Sequence, residues 1–305
     1  MHRYRAFGLQ IESEWNLPEL APAPDLDHWD PDLTIVVRDL GRKMPTVTEP
    51  PIFDYGDDEV VMIWPQVGGF RIRMPATIEV EPSALAKPEL IAFPLLGPVM
   101  GWFLHLRGQA ILHASAVYWR GRVLGFLGDK MAGKSTTAAA FLRDGGHLIT
   151  DDMLVFDMKD IASPIVLPAF AQLKLSEEAA MAVEVDGATA LPNIMEGFPK
   201  RQHRLAQRAL EIPERFDALF VLSRSTDESN IAWLDQAEAL TKIVRYSYST
   251  RFANAPLAMQ DRGRQFRHFA ALARAIRVAE LKVPHDLSGL GQTVELVGQS
   301  LGVDK

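Results

Sequence analysis

The sequence predicts an α/β fold, a glycine-loop core over residues 86–305 behind a β-rich N-terminal module over residues 1–85. Three observations predict it. The stretch "GDKMAGKST", Gly128 to Thr136, fits G-x-x-x-x-G-K-S/T and lies between strand-like "RVLGFL" and helix-like "STTAAAFL". The helix-like run leads into a second strand, "HLIT", the alternation expected of an α/β sheet. The first hundred residues instead hold short runs rich in β-branched residues, broken by Gly, Pro and Asp.

In the N-terminal module the predicted strands are "LTIVVRDL", "EVVMIW", "GFRIRM" and "ATIEVEP", with "APAPDLDHWDPDL" as an irregular surface loop. The apolar run "LIAFPLLGPVMGWFLHL", Leu90 to Leu106, is shorter than the roughly 20 residues of a membrane span. Pro94, Gly97 and Pro98 interrupt it, so a buried helix is expected and no membrane partner. In the core, the alanine-rich helix after the glycine loop stops at Gly145 and Gly146. "DALFVLSRS" reads as a buried strand, and Gln236 to about Ala279 as helix.

Composition narrows the function classes. Of 305 residues 48% are hydrophobic, enough for a sizeable core. A formal net charge of -7 argues against a nucleic-acid partner, because phosphate backbones attract basic surfaces. The absence of cysteine excludes disulfides, thiolate metal sites and cysteine nucleophiles, and fits a reducing cytoplasm. The opening "MHRYRAFGLQIESEW" meets Glu12 and Glu14 where a signal peptide would be apolar, so a cytoplasmic location is expected.

The glycine loop carries the strongest chemistry. Gly128 and Gly133 permit the tight turn that converges backbone N–H groups from Asp129, Lys130, Met131, Ala132, Gly133, Lys134 and Ser135 on phosphate oxygens. The helix N-terminus, with Thr136 in its first turn, adds donors and dipole to the same anion. Lys134 is expected to reach the β- and γ-phosphates and Ser135 to ligate Mg²⁺. No N-K-x-D guanine-reading segment occurs, which favours ATP with Mg²⁺. Asp129 stands where dimerising ATPases with a similar loop carry their signature lysine, and "LSGLGQ", Leu287 to Gln292, is a chance likeness to a transporter signature.

Because the strand before the loop and the strand "HLIT" are expected to run parallel, Asp151 and Asp152 should emerge on the rim where the loop emerges. Two adjacent acids can divide the labour, one orienting a metal and the other taking a proton from an attacking hydroxyl. The plainer alternative is a pair of exposed turn carboxylates. His113 enters by register. If Arg120-Gly121 is a two-residue turn, Trp119 faces Arg122, Val117 faces Leu124 and His113 faces Gly128.

"LHASAV", "GDKMAGKST" and "LITDDM", in this order and spacing, resemble the catalytic core of HPr kinase/phosphorylase, a bacterial P-loop serine kinase related to phosphoenolpyruvate carboxykinase. The likeness covers roughly Gln109 to Ser225. It implies transfer of the ATP γ-phosphate to a serine of a peptide or small protein. It also implies Asp151 as general base, Asp152 assisting the metal with Ser135, and His113 beside the catalytic carboxylate. Thr136 replaces the glutamate usual after the loop serine, and "NIMEGFPKRQ" stands where the bifunctional enzymes carry a glycine-rich segment linked to phosphorolysis. The opening "YRAFGLQIESEWNLPEL" is similar to smaller HPr-kinase-like proteins encoded with lasso-peptide genes, which implies a lasso-peptide precursor as substrate. HPr kinases assemble as hexamers, so the resemblance also implies a homo-oligomer.

Lys174 falls near a strand end, and Lys200, Arg201, His203, Arg204 and Arg208 form a basic run that either meets the substrate or is a solvated helix face. Arg224 and Arg245 are weaker candidates for the migrating phosphate. An HPr-like protein or a small metabolite as acceptor, or an assembly ATPase that phosphorylates nothing, remain open alternatives.

Overall fold

Phe7 and Gly8 both take positive φ, 55° and 71°, and turn strand His2–Ala6 back onto Leu9–Ser13. Such a two-residue turn follows the right-handed twist of its strands, yet Phe-Gly carries none of the usual Asn-Gly signal, and this hairpin is unannounced in the sequence. A computed structural model describes the chain except residues 25–27, 57–58, 85, 192–199, 207–213, 226–228, 253–258 and 304–305. It divides into two units, Met1–Gln109 with Phe252–Arg262, and Ala110–Arg251 with Gly263–Lys305.

The first unit is an eight-stranded sheet in the order Ala21–Pro22, His2–Ala6, Leu9–Ser13, Leu33–Val37, Thr77–Pro82, Gly68–Arg73, Glu59–Trp64, Ile52–Tyr55. The four strands expected from β-branched runs are all present. The apolar segment forms two helical pieces, Pro88–Pro94 and Met100–Leu106, joined by Leu95–Val99. Gly97 leaves helical geometry there, at φ -100° and ψ -108°, which accommodates the prolines on either side. Among the described residues this is the one helical stretch long and apolar enough to cross a membrane. Ile91, Leu95, Val99 and Phe103 are nevertheless fully buried, and Trp102 packs on Tyr55 with ring centres 4.9 Å apart.

The second unit is mixed α/β, with three sheets among the described residues. Its six-stranded sheet runs His147–Thr150, Ser115–Trp119, Arg122–Leu127, Ala218–Ser225, Arg277–Pro284, Asn230–Trp233. Arg122–Leu127, Ala218–Ser225 and Arg277–Pro284 are parallel neighbours. His147–Thr150 runs in the same direction as Arg122–Leu127, with Ser115–Trp119 antiparallel between them. A four-stranded sheet (Glu214–Arg215, Ile165–Leu167, Leu154–Asp157, Ala110–Leu112) and a three-stranded one (Gln172–Leu175, Arg201–Leu205, Ala188–Ala190) flank it.

Helices cover both faces of the six-stranded sheet. Helix Lys134–Arg143 buries Ala138, Ala139, Ala140 and Phe141 against Val117, Phe126 and Phe220, together with Val294 and Val297 of helix Leu290–Leu301. On the other face Ile243, Phe269 and Leu272 meet Val123, Leu219 and Val278. Strands buried on both sides read as continuous apolar runs, as "VLGFL" in Arg122–Leu127 and "ALFVL" in Ala218–Ser225 do.

The segment from Gln236 to Ala279 is not helical throughout, contrary to what its residues lead one to expect. Helices Gln236–Arg245 and Met259–Ala275 are present, but Arg277–Pro284 is an inner strand of the sheet. Its Ala, Glu, Leu and Lys are good helix formers, and pairing on both sides overrides that preference. The basic run also lies on strand Arg201–Leu205 and not on a helix. Arg208 lies outside the described residues, as does most of "NIMEGFPKRQ".

Candidate active site

Strand Arg122–Leu127 delivers the chain to Gly128, and helix Lys134–Arg143 leaves from Gly133. Both glycines have positive φ, 153° and 99°, and neither has room for a side chain. A Cβ on Gly128 would stand 2.8 Å from the Ala132 methyl, and one on Gly133 2.8 Å from the Arg224 guanidinium. Arg224 is itself fixed by donating Nη1 to the Pro284 carbonyl at 2.8 Å. Met131 also has positive φ, 68°, and is highly exposed beside exposed Lys130. Within the loop, Ala132 N–H is committed to the Asp129 carbonyl at 3.1 Å. Lys134 Nζ donates to the carbonyls of Gly128 and Asp129, at 2.8 and 3.2 Å, and so bridges the mouth of the loop. Thr136 is half-buried in the first helical turn.

The two acids arrive on the same rim, as parallel strand directions require. Asp151 Oδ1 accepts from Ser135 Oγ at 3.0 Å and from Ser115 Oγ at 2.5 Å. Its Oδ2 accepts the Lys174 backbone N–H at 2.9 Å. Gln172–Leu175 is the edge strand of its sheet, paired there with Arg201–Leu205. Burial pushes the Asp151 pKa up and the neighbouring Asp152 charge adds to this, while Ser115 and Lys174 oppose it. Asp152 takes φ 84°, a left-handed conformation that aspartate tolerates better than most residues. This turns the chain from His147–Thr150 into Leu154–Asp157, and Thr150 Oγ1 braces the corner by donating to the Met153 carbonyl at 2.6 Å. The Asp152 carboxylate is ion-paired with the Lys174 ammonium.

His113 is in the group, but not where register placed it. The hairpin turn is as expected, with Arg120 and Gly121 at φ 47° and 75°, Trp119 facing Arg122 and Val117 facing Leu124. Pairing ends at Ser115 opposite Phe126, however, so His113 does not face Gly128. The preceding strand, Ala110–Leu112, belongs to the four-stranded sheet, and His113 sits at the corner between sheets. There its backbone N–H donates to the Tyr246 carbonyl at 2.9 Å, and its Nδ1 lies 3.0 Å from the Asp152 carbonyl oxygen.

Lys174, read from the sequence only as a cation near a strand end, proves to touch both acids. Ser115 carries a signal that could have found it. It opens the strand lying between those that end at Leu127 and Thr150. In the basic run His203 is buried with Nδ1 3.0 Å from the Arg201 carbonyl oxygen, and Gln202, not a cation, lies opposite Lys174.

No protein-family profile matches the chain, and no curated protein does. Among solved structures, the Hpr(Ser) kinase/phosphatase from Coxiella burnetii matches 63% of this chain and 98% of that one, at 12% identity and a TM-score of 0.32. A likeness of that size leaves the functional reading to the geometry of this chain, which is a mixed α/β protein with a glycine loop, a paired lysine and two carboxylates on one rim.

Proposed function

We propose that this chain is a kinase that transfers the γ-phosphate of Mg·ATP to a serine hydroxyl of a peptide or small protein, with a lasso-peptide precursor as the preferred acceptor. The observation that carries the reading is the 3.0 Å hydrogen bond from Ser135, the last residue of the glycine motif, to Asp151. A hydroxyl at a helix N-terminus and a carboxylate on a neighbouring strand end are the oxygen donors Mg²⁺ takes in nucleotide sites. Among the described residues no three His, Cys, Asp or Glu side chains cluster as a metal cage. Mg²⁺ keeps several waters and takes one or two protein carboxylates beside phosphate oxygens. Ser135 and Asp151 would hold Mg²⁺, and the ion would supply charge compensation for the phosphates there.

The surroundings of the two acids favour exchanging the roles that the resemblance implies. Asp151 has both oxygens engaged by donors and touches Ser135, so it suits the metal side. Asp152 stands one residue further on, beside Lys174 and His113, and suits acceptance of the hydroxyl proton. Lys134, now on the loop carbonyls, would neutralise phosphate charge. His113 orients Asp152 through its backbone.

Incubation with γ-labelled ATP and, separately, a lasso-precursor peptide, an HPr-like protein and free serine tests the proposal. Label on the peptide serine is expected. Label on none of the three, with phosphate released to water, would replace this reading with the assembly-ATPase one.

A further inference from the structure

We infer that Arg245 is a cation that reads the terminal phosphate of the bound nucleotide and is held in waiting by Asp129. The inference rests on the nucleotide reading of the loop proposed above.

Arg245 ends helix Gln236–Arg245, whose start is fixed by a capping box between Asp235 and Glu238. The end of this helix is tied beside the site. The next residue, Tyr246, accepts the His113 backbone N–H at 2.9 Å, and Ser247 bridges Leu112. The guanidinium lies 5.3 Å from the centre of the Tyr246 ring. Its Nη2 donates to both carboxylate oxygens of Asp129, at 3.0 and 2.9 Å. No bond joins Nη1 or Nε to any described residue, so the fork retains donors for a second anion.

Asp129 is the second residue of the glycine motif, and its carbonyl, with that of Gly128, receives Lys134 Nζ. Arg245 and Lys134 therefore converge on one residue, one through its side chain and the other through its backbone. In such loops the backbone N–H groups serve the α- and β-phosphates while the lysine serves the β- and γ-phosphates. A cation sharing Asp129 with that lysine serves the same outer end.

Exchange of partner is easy in this setting. The Arg245 and Asp129 side chains keep 58% and 66% of their surface exposed, and an ion pair so solvated contributes little to stability. A triphosphate carries more charge than one carboxylate and offers the planar guanidinium paired oxygens. Without Arg245, the Asp129 carboxylate would face the incoming phosphates uncompensated.

The test is the affinity of the full chain for Mg·ATP and Mg·ADP by calorimetry, for the native protein, Arg245→Ala, Arg245→Lys and Asp129→Asn, with thermal unfolding as a folding control. Arg245→Ala is expected to weaken Mg·ATP by about tenfold or more while Mg·ADP stays within about twofold, and Arg245→Lys to recover only part of the loss. Asp129→Asn, which releases the guanidinium, is expected to tighten Mg·ATP selectively. Equal losses for both nucleotides, no loss in Arg245→Ala, or a weaker Mg·ATP in Asp129→Asn would overturn the inference and leave the proposed function standing. A native protein that binds neither nucleotide would overturn both.

Discussion

The Ser135 hydroxyl donates to the Asp151 carboxylate at 3.0 Å across sixteen residues of chain. Asp151→Asn keeps the shape of that contact and removes its charge. Affinity for ATP in the presence of Mg²⁺ is expected to fall by about tenfold or more, towards the Mg²⁺-free value. Calorimetry with and without the cation measures it. Unchanged Mg²⁺ dependence would remove Asp151 from the metal side.

Asp152→Asn should behave differently. Nucleotide affinity is expected to survive while turnover drops by roughly 10²–10⁴, the scale of losing a general base. The two asparagine variants thus decide the assignment of roles. If Asp151→Asn loses turnover alone and Asp152→Asn loses metal dependence, the acids act as the resemblance to HPr kinase implies.

Gly133→Ala meets two obstacles at once. The residue needs φ 99°, and the added methyl would stand 2.8 Å from the Arg224 guanidinium. Left-handed backbone costs a non-glycine residue about 1–2 kcal/mol before any clash. Loss of nucleotide binding is expected, with only a modest drop in the urea midpoint. Native-like binding would mean that the loop does not need this shape.

Phe141 anchors the helix that follows the loop. It is fully buried, 5.0 Å from the Trp119 ring and 5.1 Å from Phe126. Phe141→Ala should cost about 3–5 kcal/mol in denaturant unfolding, the usual range for a buried phenylalanine. A loss under about 1 kcal/mol would show that the neighbouring rings collapse into the space.

His268 gives a pH signature unrelated to the site. Burial holds its pKa below the ordinary imidazole value, and Arg264 and Arg267 add to the effect. The unfolded chain therefore binds this proton more readily than the folded one. The stability so held is present above about pH 6.5 and is lost as pH falls through the depressed folded value. Urea midpoints between pH 5 and 7.5 should fall less steeply on the acid side in His268→Gln than in the native protein. Parallel curves would show that His268 does not contribute.

The sequence by itself determined the local elements whose chemistry is contiguous. The glycine motif requires a tight turn between a strand and a helix. The Arg120-Gly121 turn determined its own hairpin, and continuous apolar runs announced the inner strands Arg122–Leu127 and Ala218–Ser225. Asp151 and Asp152 were legible as rim residues because parallel strands end on one side. What lay beyond was settled by pairing between distant segments. His113 left its expected register because the strand before it joined another sheet, a choice no local pattern encodes. Arg277–Pro284 became a strand because partners on both sides satisfied its backbone despite helix-forming residues. Lys174 reached both acids because folding set its strand beside the turn that carries them, its amide on Asp151 and its ammonium on Asp152. Backbone groups away from water must find partners, and which partners they find depends on the whole chain.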